Sequence, residues 1–313
     1  MKALVTGGAG FIGSHLSERL LAQGAQVTGL DCFTDYYARD IKERNLANLR
    51  GRDGYRFIES AIADANLSRI LDDVTHVFHL AAQAGVRKSW GRDFQVYTAL
   101  NIDATQVLLE ACVNRPIERV VYASSSSVYG DDVAMPMQED AVPHPVSPYG
   151  VTKLAAEHLC QLYFVNHGVK TVSLRYFTVY GPRQRPDMGF NRFFSAVLDG
   201  RPITQYGDGL QTRDFTFVAD AVSATAAAAV RGAPGGVYNI GGGSRVTLRE
   251  VLDMIGRISG RPVTIDPQPA QKGDMRDTYA DTSRARADLN FVPSVGLDDG
   301  LRQMFEWMKT ARQ

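Results

Sequence analysis

Thr6-Gly7-Gly8-Ala9-Gly10-Phe11-Ile12-Gly13 follows a short β-type run, Ala3 to Val5, and opens a helical pattern that runs from Ile12 to Gln23. Gly7, Gly10 and Gly13 stand at GxxGxxG spacing. Glycine at such positions permits a tight turn, lets backbone approach a pyrophosphate and lets the helix pack closely on the strand. The helix N-terminus adds free N–H groups and partial positive charge. A glycine triplet alone also reads as a structural turn. Strand before, helix after and an acid at the end of the next strand make it a dinucleotide fingerprint. That acid is Asp31, closing Val27-Thr28-Gly29-Leu30-Asp31. Its carboxylate suits the adenosine ribose hydroxyls and repels a 2′-phosphate, and no arginine adjoins it, so NAD is favoured over NADP. Taken by itself, Asp31 also reads as a turn cap.

Further β-type runs, Tyr55 to Ile58, His76 to Leu80, Arg119 to Tyr122 and Thr171 to Arg175, alternate with helical apolar spacing at 94–113 and 149–166. This βαβ series predicts an α/β, Rossmann-type doubly wound parallel sheet covered on both faces. After Tyr176, Gly181-Pro182-Arg183-Gln184-Arg185-Pro186 is a loop, and proline and glycine breaks become frequent. A smaller mixed α/β substrate-binding lobe is expected there. Phe215 to Val230 and Gly236 to Ile240 again read as strand, helix and strand, so the chain is expected to return to the first lobe. The division is 1–175 with about 214–240 for the NAD-binding domain, and 176–213 with 241–313 for the second.

Lysine plus arginine and aspartate plus glutamate both number 34, so no net charge draws the chain to nucleic acid or to an anionic membrane. Anionic ligands must be met by local arginines. Cys32, Cys112 and Cys160 are widely spaced without a CxxC pair, which argues for a reducing, cytoplasmic setting and against a zinc site. The first residues run directly into strand and glycine turn, with no room for a signal peptide. No apolar stretch is long enough for a membrane span. His76 and His79 point to opposite faces of a strand, so no metal is expected.

Tyr149-Gly-Val-Thr-Lys153 puts a phenol and an ammonium on one helix face, a spacing that solvated helices also carry. Ala123-Ser124-Ser125-Ser126-Ser127-Val128-Tyr129 supplies hydroxyls at the end of the fifth strand. Together with His79-Leu80-Ala81-Ala82, Leu174 to Pro182, Gly207-Asp208-Gly209, Arg213-Asp214-Phe215 and Tyr238-Asn239-Ile240-Gly241, these motifs read in the order of the extended short-chain dehydrogenases, the NAD-dependent epimerase/dehydratase family. The chain resembles that family over nearly its whole length. The resemblance implies Tyr149 as acid/base and Lys153 as the cation that lowers its pKa and holds the nicotinamide ribose. Ser125 would hydrogen-bond the reacting oxygen. NAD would be contacted by Gly7, Gly10, Phe11, Ile12, Gly13 and Asp31, by Ile62, Leu80, Ala81 and Ala82, and by Asn101, Tyr149 and Lys153. Ser60-Ala61-Ile62 departs from the family where an acid usually touches the adenine, and Asp64 is the nearest substitute.

Relatives that dehydrate carry Asp-Glu where this chain has Ser126-Ser127, and relatives that decarboxylate UDP-glucuronate commonly carry glutamate at Ser127. What remains is 4-epimerisation. Phe33-Thr34-Asp35-Tyr36-Tyr37, Ala81-Ala82-Gln83-Ala84-Gly85-Val86-Arg87 and Phe177 to Met188 resemble the UDP-glucuronate 4-epimerases in particular. By that resemblance Arg185 pairs with the sugar carboxylate, and Thr178, Ser125 and Ser126 add hydrogen bonds. Gly85, Val86, Arg87 and Arg192 join the substrate site, with Arg213 and Arg276 on the diphosphate. The expected product is UDP-galacturonate, formed through a 4-keto sugar without decarboxylation. Epimerisation of UDP-glucose or UDP-N-acetylglucosamine, decarboxylation of UDP-glucuronate and a non-catalytic NAD-binding role are the alternatives. The resemblance also implies a homodimer built on the helices at 94–113 and 149–166.

Overall fold

The computed structural model describes residues 1–312. Strands β1 (Lys2–Thr6), β2 (Gln26–Asp31), β3 (Tyr55–Glu59), β4 (His76–His79), β5 (Arg119–Ser125), β6 (Thr171–Tyr176) and the strand Gly236–Ile240 form one sheet. Every pairing in it is parallel. From one edge the order is β3, β2, β1, β4, β5, β6 and Gly236–Ile240. The direction of winding therefore reverses between β1 and β4, which opens a crevice at the carboxyl ends of the strands.

Alternation along β1 sets the two faces. Ala3 and Val5 join a core with Leu16 and Leu20 of α1 (Phe11–Ala22) and with the alanines of the helix Val218–Arg231. Leu4 points the other way, into a core shared with Leu108, Ala156 and Cys160. Burial on both faces is what a parallel sheet requires, and it explains the near-continuous apolar strands.

The helix predicted over 94–113 is instead three segments, Phe94–Tyr97, a π-helical stretch Thr98–Asp103 and Ala104–Cys112. Within the widened stretch, Asn101 receives no solvent and spends its amide on neighbours: Oδ1 accepts from Gln83 N, while Nδ2 donates to Gln83 O and Thr152 Oγ1. A helix that departs from i→i+4 bonding here accommodates that reach into the loop after β4.

Three two-stranded pairs stand apart from the main sheet: Val179–Tyr180 with Thr216–Phe217, Thr212–Asp214 with Arg245–Thr247, and Ile203–Tyr206 with Ile265–Gln268. The helix Leu248–Ser259 is fixed at its start by a capping box between Thr247 and Glu250. Ser283–Leu289 packs on Val218–Arg231 and on the edge strand Gly236–Ile240, so this part of 241–313 lies against the main sheet and its covering helix. Among the described residues no helix is long and apolar enough to cross a membrane.

Candidate active site

The crevice at the winding reversal is lined from end to end by residues of both motifs, with Gly7, Gly10 and Asp31 at one end and Tyr149, Lys153 and Arg185 at the other. At the first end, Gly7 has φ +69°, and a Cβ there would lie 2.8 Å from Ala81 N, because the turn after β1 rests on the chain leaving β4. A side chain at Gly13 would overlap the Gly7 carbonyl oxygen. No side chain caps α1 at Gly10, so its first amides stay free for an anion. Phe11, Ile12 and Gly13 all line the cavity, as do Ile62, Leu80, Ala81 and Ala82. These features fit a dinucleotide: backbone close to the ligand, open helix amides and a carboxylate at the tip of β2.

Asp31 is held by its own loop, accepting from Ala9 N at 3.2 Å and Phe33 N at 2.9 Å. Its charge is balanced by Lys42, whose Nζ stands 3.6 Å from Oδ1. Lys42 is buried and lines the cavity, a residue the sequence reading missed because it lies eleven positions beyond the acid on the following helix, Arg39–Leu46. A lysine in a charged surface-type segment gives no signal until the fold brings it back. Asp64 is exposed and is not part of the cavity wall, whereas Ser60, Ala61 and Ile62 are. Asn101 likewise stands behind the wall: its amide positions the Gln83 loop and Thr152.

His79 links the layers, its ring meeting Thr6 Oγ1 at 2.8 Å and Thr105 Oγ1 at 2.9 Å. Complete burial pulls its pKa down to about 3, so it stays neutral.

At the reactive end, Ser147 caps the helix Pro148–His167 by accepting from Gly150 N, with Pro148 in the first turn. Gly150 has no room for a side chain against Ser127 O, so the helix start is seated on the serine turn that ends β5. Tyr149 therefore projects from the first turn, edge-on to Tyr97 at 6.3 Å. Burial raises the Tyr149 pKa; the Arg185 charge and a hydrogen bond with Ser125 draw it back.

In the protein alone the cation acting on the phenol is Arg185, while Lys153 Nζ lies 4.4 Å over the Tyr122 ring. Burial lowers the Lys153 pKa to about 7, partly opposed by Glu157. A desolvated ammonium takes the face of the nearest aromatic ring when no carboxylate is in direct contact. Ser125 Oγ also accepts from Ser127 N, and Ser124 rather than Ser125 or Ser126 appears in the cavity wall, its hydroxyl donating to Glu157.

The loop after Val179–Tyr180 uses its polar residues for separate tasks. Arg183 reaches α1, pairing with Glu18 at 2.8 Å, and Gln184 is buried against Val179 O and Asn191. Between these anchors Arg185 enters the cavity, with Nε and Nη2 each 3.0 Å from the carboxylate of Asp187.

The remaining expected substrate residues lie outside the cavity wall. Arg87 pairs with Asp274 at 2.6 Å and stacks 4.1 Å from the Tyr206 ring centroid. Gly85 has φ +102° beneath the Tyr36 hydroxyl, Val86 O accepts from Ser89 Oγ, and Thr178 O accepts from Thr216 N. Arg213 is half-buried and donates to the carbonyls of Thr212, Met275 and Arg276, clamping the segment that follows Asp274. Arg276 itself is exposed and pairs with Asp208, and Arg192 is exposed on the helix Gly189–Leu198.

Residues 3–241 match the model of the NAD dependent epimerase/dehydratase family. The uncharacterized UDP-glucose epimerase YtcB of Bacillus subtilis is 44% identical over 317 residues, covering 100% of this chain and 99% of its own. The UDP-glucuronate 4-epimerase of Thermodesulfobacterium geofontis is 35% identical over 311 residues, covering 98% of this chain and 95% of its own. The crystal structure of UDP-glucuronic acid 4-epimerase from Bacillus cereus in complex with UDP-glucuronic acid and NAD superposes with a TM-score of 0.97. It is 44% identical and covers 99% of this chain and 100% of its own.

Proposed function

The chain belongs to the NAD dependent epimerase/dehydratase family, and we propose that it is an NAD-dependent UDP-sugar 4-epimerase that interconverts UDP-glucuronate and UDP-galacturonate with the carboxylate retained. The observation that carries this reading is a guanidinium, Arg185, in the same cavity wall as the Tyr149 phenol and close enough to shift its pKa. A neutral hexose has no use for a cation there. A uronate does.

When bound, NAD supplies the reversible hydride acceptor for C4, which no side chain can replace. The open amides of α1 and the glycine turn would hold its pyrophosphate, and Asp31, neutralised by Lys42, its adenosine ribose. Tyr149 takes the proton of the C4 hydroxyl, giving a 4-keto sugar, and returns it after the sugar has turned its other face. Ser125 holds the reacting oxygen, and Lys153 keeps a positive charge near the phenol. The 4-keto uronate is a β-keto acid, which loses carbon dioxide when its carboxylate bond aligns with the carbonyl π system. Arg185, with Thr178, Ser125 and Ser126, would hold the carboxylate out of that alignment. Ser126 and Ser127 bring neither the acid and base for dehydration nor the glutamate of decarboxylating relatives. Segments 1–175 and about 214–240 would carry the cofactor, and 176–213 with 241–313 the UDP-sugar, where Arg213 governs the diphosphate side. Arg87 and Arg192 are assigned to its rim.

The proposal extends to a cytoplasmic homodimer. Val151, Leu162 and Val165 of the helix Pro148–His167 are exposed, as is Val96, which favours burial against a second copy; all three cysteines are free thiols. Incubation with UDP-glucuronate, followed by NMR, tests the reaction. UDP-galacturonate is the expected product; a decarboxylated pentose, or turnover only of UDP-glucose, would refute the assignment.

A further inference from the structure

The reaction just described gives no task to Asp187, yet both its oxygens are engaged by residues of the cavity wall, Arg185 and Tyr36. Oδ1 accepts from Arg185 Nε and Oδ2 from Arg185 Nη2, each at 3.0 Å, and Oδ2 also accepts from the Tyr36 hydroxyl at 3.2 Å. Tyr36 has little freedom of its own. Its hydroxyl lies where a side chain at Gly85 would collide, and Lys88 Nζ sits 5.0 Å from its ring centroid. Asp187 thus ties Arg185, in the loop after Val179–Tyr180, to a ring fixed in the segment after β2.

Two parallel N–H···O bonds fix the plane of a guanidinium, which an unpaired arginine on its flexible stem would not keep. The fork has five N–H donors, and the bonds to Asp187 use one on Nε and one on Nη2. The edge formed by Nη1 and the second Nη2 hydrogen is left with the geometry for another carboxylate. Arg185 lines the same cavity as Tyr149, so the pair with Asp187 sets where that cation stands relative to the reacting centre.

We infer that Asp187, braced by Tyr36, is the positioning residue that makes the site selective for an acidic sugar, by holding Arg185 so that its free edge receives the substrate carboxylate. This rests on the uronate reading above. Asp187 touches neither substrate nor cofactor in this scheme; it acts through Arg185. A carboxylate whose only work was to close the loop would serve charged and neutral sugars alike.

Calorimetric titration of the NAD-loaded protein with UDP-glucuronate and with UDP-glucose separates these roles. Asp187→Asn is expected to weaken UDP-glucuronate about tenfold and UDP-glucose less than about twofold. Tyr36→Phe, which leaves the Arg185–Asp187 pair in place, should move UDP-glucuronate the same way by about two- to threefold. In an Arg185→Ala background, Asp187→Asn should add nothing, because its effect passes through the missing arginine. Equal losses for both nucleotides, unchanged binding, full additivity in that background or tighter UDP-glucuronate binding would each overturn the inference. The last would make Asp187 a competitor for Arg185. Wild-type protein with no preference for UDP-glucuronate would instead defeat the uronate reading itself, and Asp187 selectivity with it, before any variant is compared.

Discussion

At the adenosine end of the cavity, Gly7, Gly13 and Asp31 act through backbone geometry set within the first two strands. At the sugar end, arginines act through side-chain pairs, near in sequence for Arg185 with Asp187 and as far as 187 positions apart for Arg87 with Asp274. The first is a fixed cradle, in which amides and a capped carboxylate are in place before any ligand arrives. The second is an assembly in which Arg87, Arg185 and Arg276 are already paired with carboxylates and Arg213 with backbone carbonyls. A pyrophosphate meets preformed donors; a charged sugar meets the donors left over on guanidinium groups that the protein has already paired. On the proposed function, the cradle would govern cofactor affinity and the arginine side which sugar nucleotide is chosen.

Tyr149 stands where the two regions meet, so its removal gives the largest effect on turnover. Tyr149→Phe should lower kcat by about a thousandfold while NAD binding and Tm stay near wild type. Unchanged turnover would revive a non-catalytic role. The pH profile sharpens the comparison. The phenolate is the active base, so the rate climbs with pH through the phenol pKa, which burial raises and Arg185 lowers. Arg185→Ala should thus move the acidic limb to higher pH. A limb that does not move would mean that the sugar-side arginine has no influence on the base.

Breaking the cradle comes next. Gly13→Ala places a methyl group against the Gly7 carbonyl, and only a backbone shift relieves that overlap. NAD affinity should fall by about a hundredfold, while UDP, bound through the other region, loses little. Equal losses for both would show that the two ends are one rigid unit. Arg213→Ala should do the reverse, weakening UDP about tenfold and leaving NAD unchanged, because its guanidinium clamps the carbonyls of Met275 and Arg276.

The same contrast decides what could be read from sequence. The glycine turn, Asp31 and the alternation of strands and helices are local patterns with one physical solution, and the parallel sheet follows from them. Tyr149 and Lys153 were legible as a pair but not in their electrostatics. Spacing alone could not show that Lys153 rests on Tyr122, or that Arg185 is the charge felt by the phenol. Lys42 left no pattern to find, since it acquires its meaning only from Asp31; Asp187 stood inside the Phe177–Met188 stretch, but its brace, Tyr36, is delivered only by folding. Asn101 was visible, but its wide helical turn and its hold on Gln83 depend on a loop eighteen positions earlier.

Arg276 gives the smallest effect and the sharpest test of the arginine side. Its neighbour in role, Arg213, is half-buried and bonded to three carbonyls, whereas the Arg276 side chain is 62% exposed and its Asp208 partner 49% exposed, at 3.1 Å. An exposed pair of this kind adds little, because solvent screens it and ordering two long side chains costs entropy. What Arg276 contributes structurally is its backbone: the carbonyl receives Arg213 Nη1 and the amide donates to Asp131. Both survive truncation of the side chain. Arg276→Ala should therefore change UDP affinity by less than about twofold, against the tenfold loss at Arg213. A loss as large as that of Arg213→Ala would mean that the Asp208 pair opens and the guanidinium swings onto the diphosphate. The sugar-nucleotide region would then rearrange around its ligand in a way the glycine cradle does not.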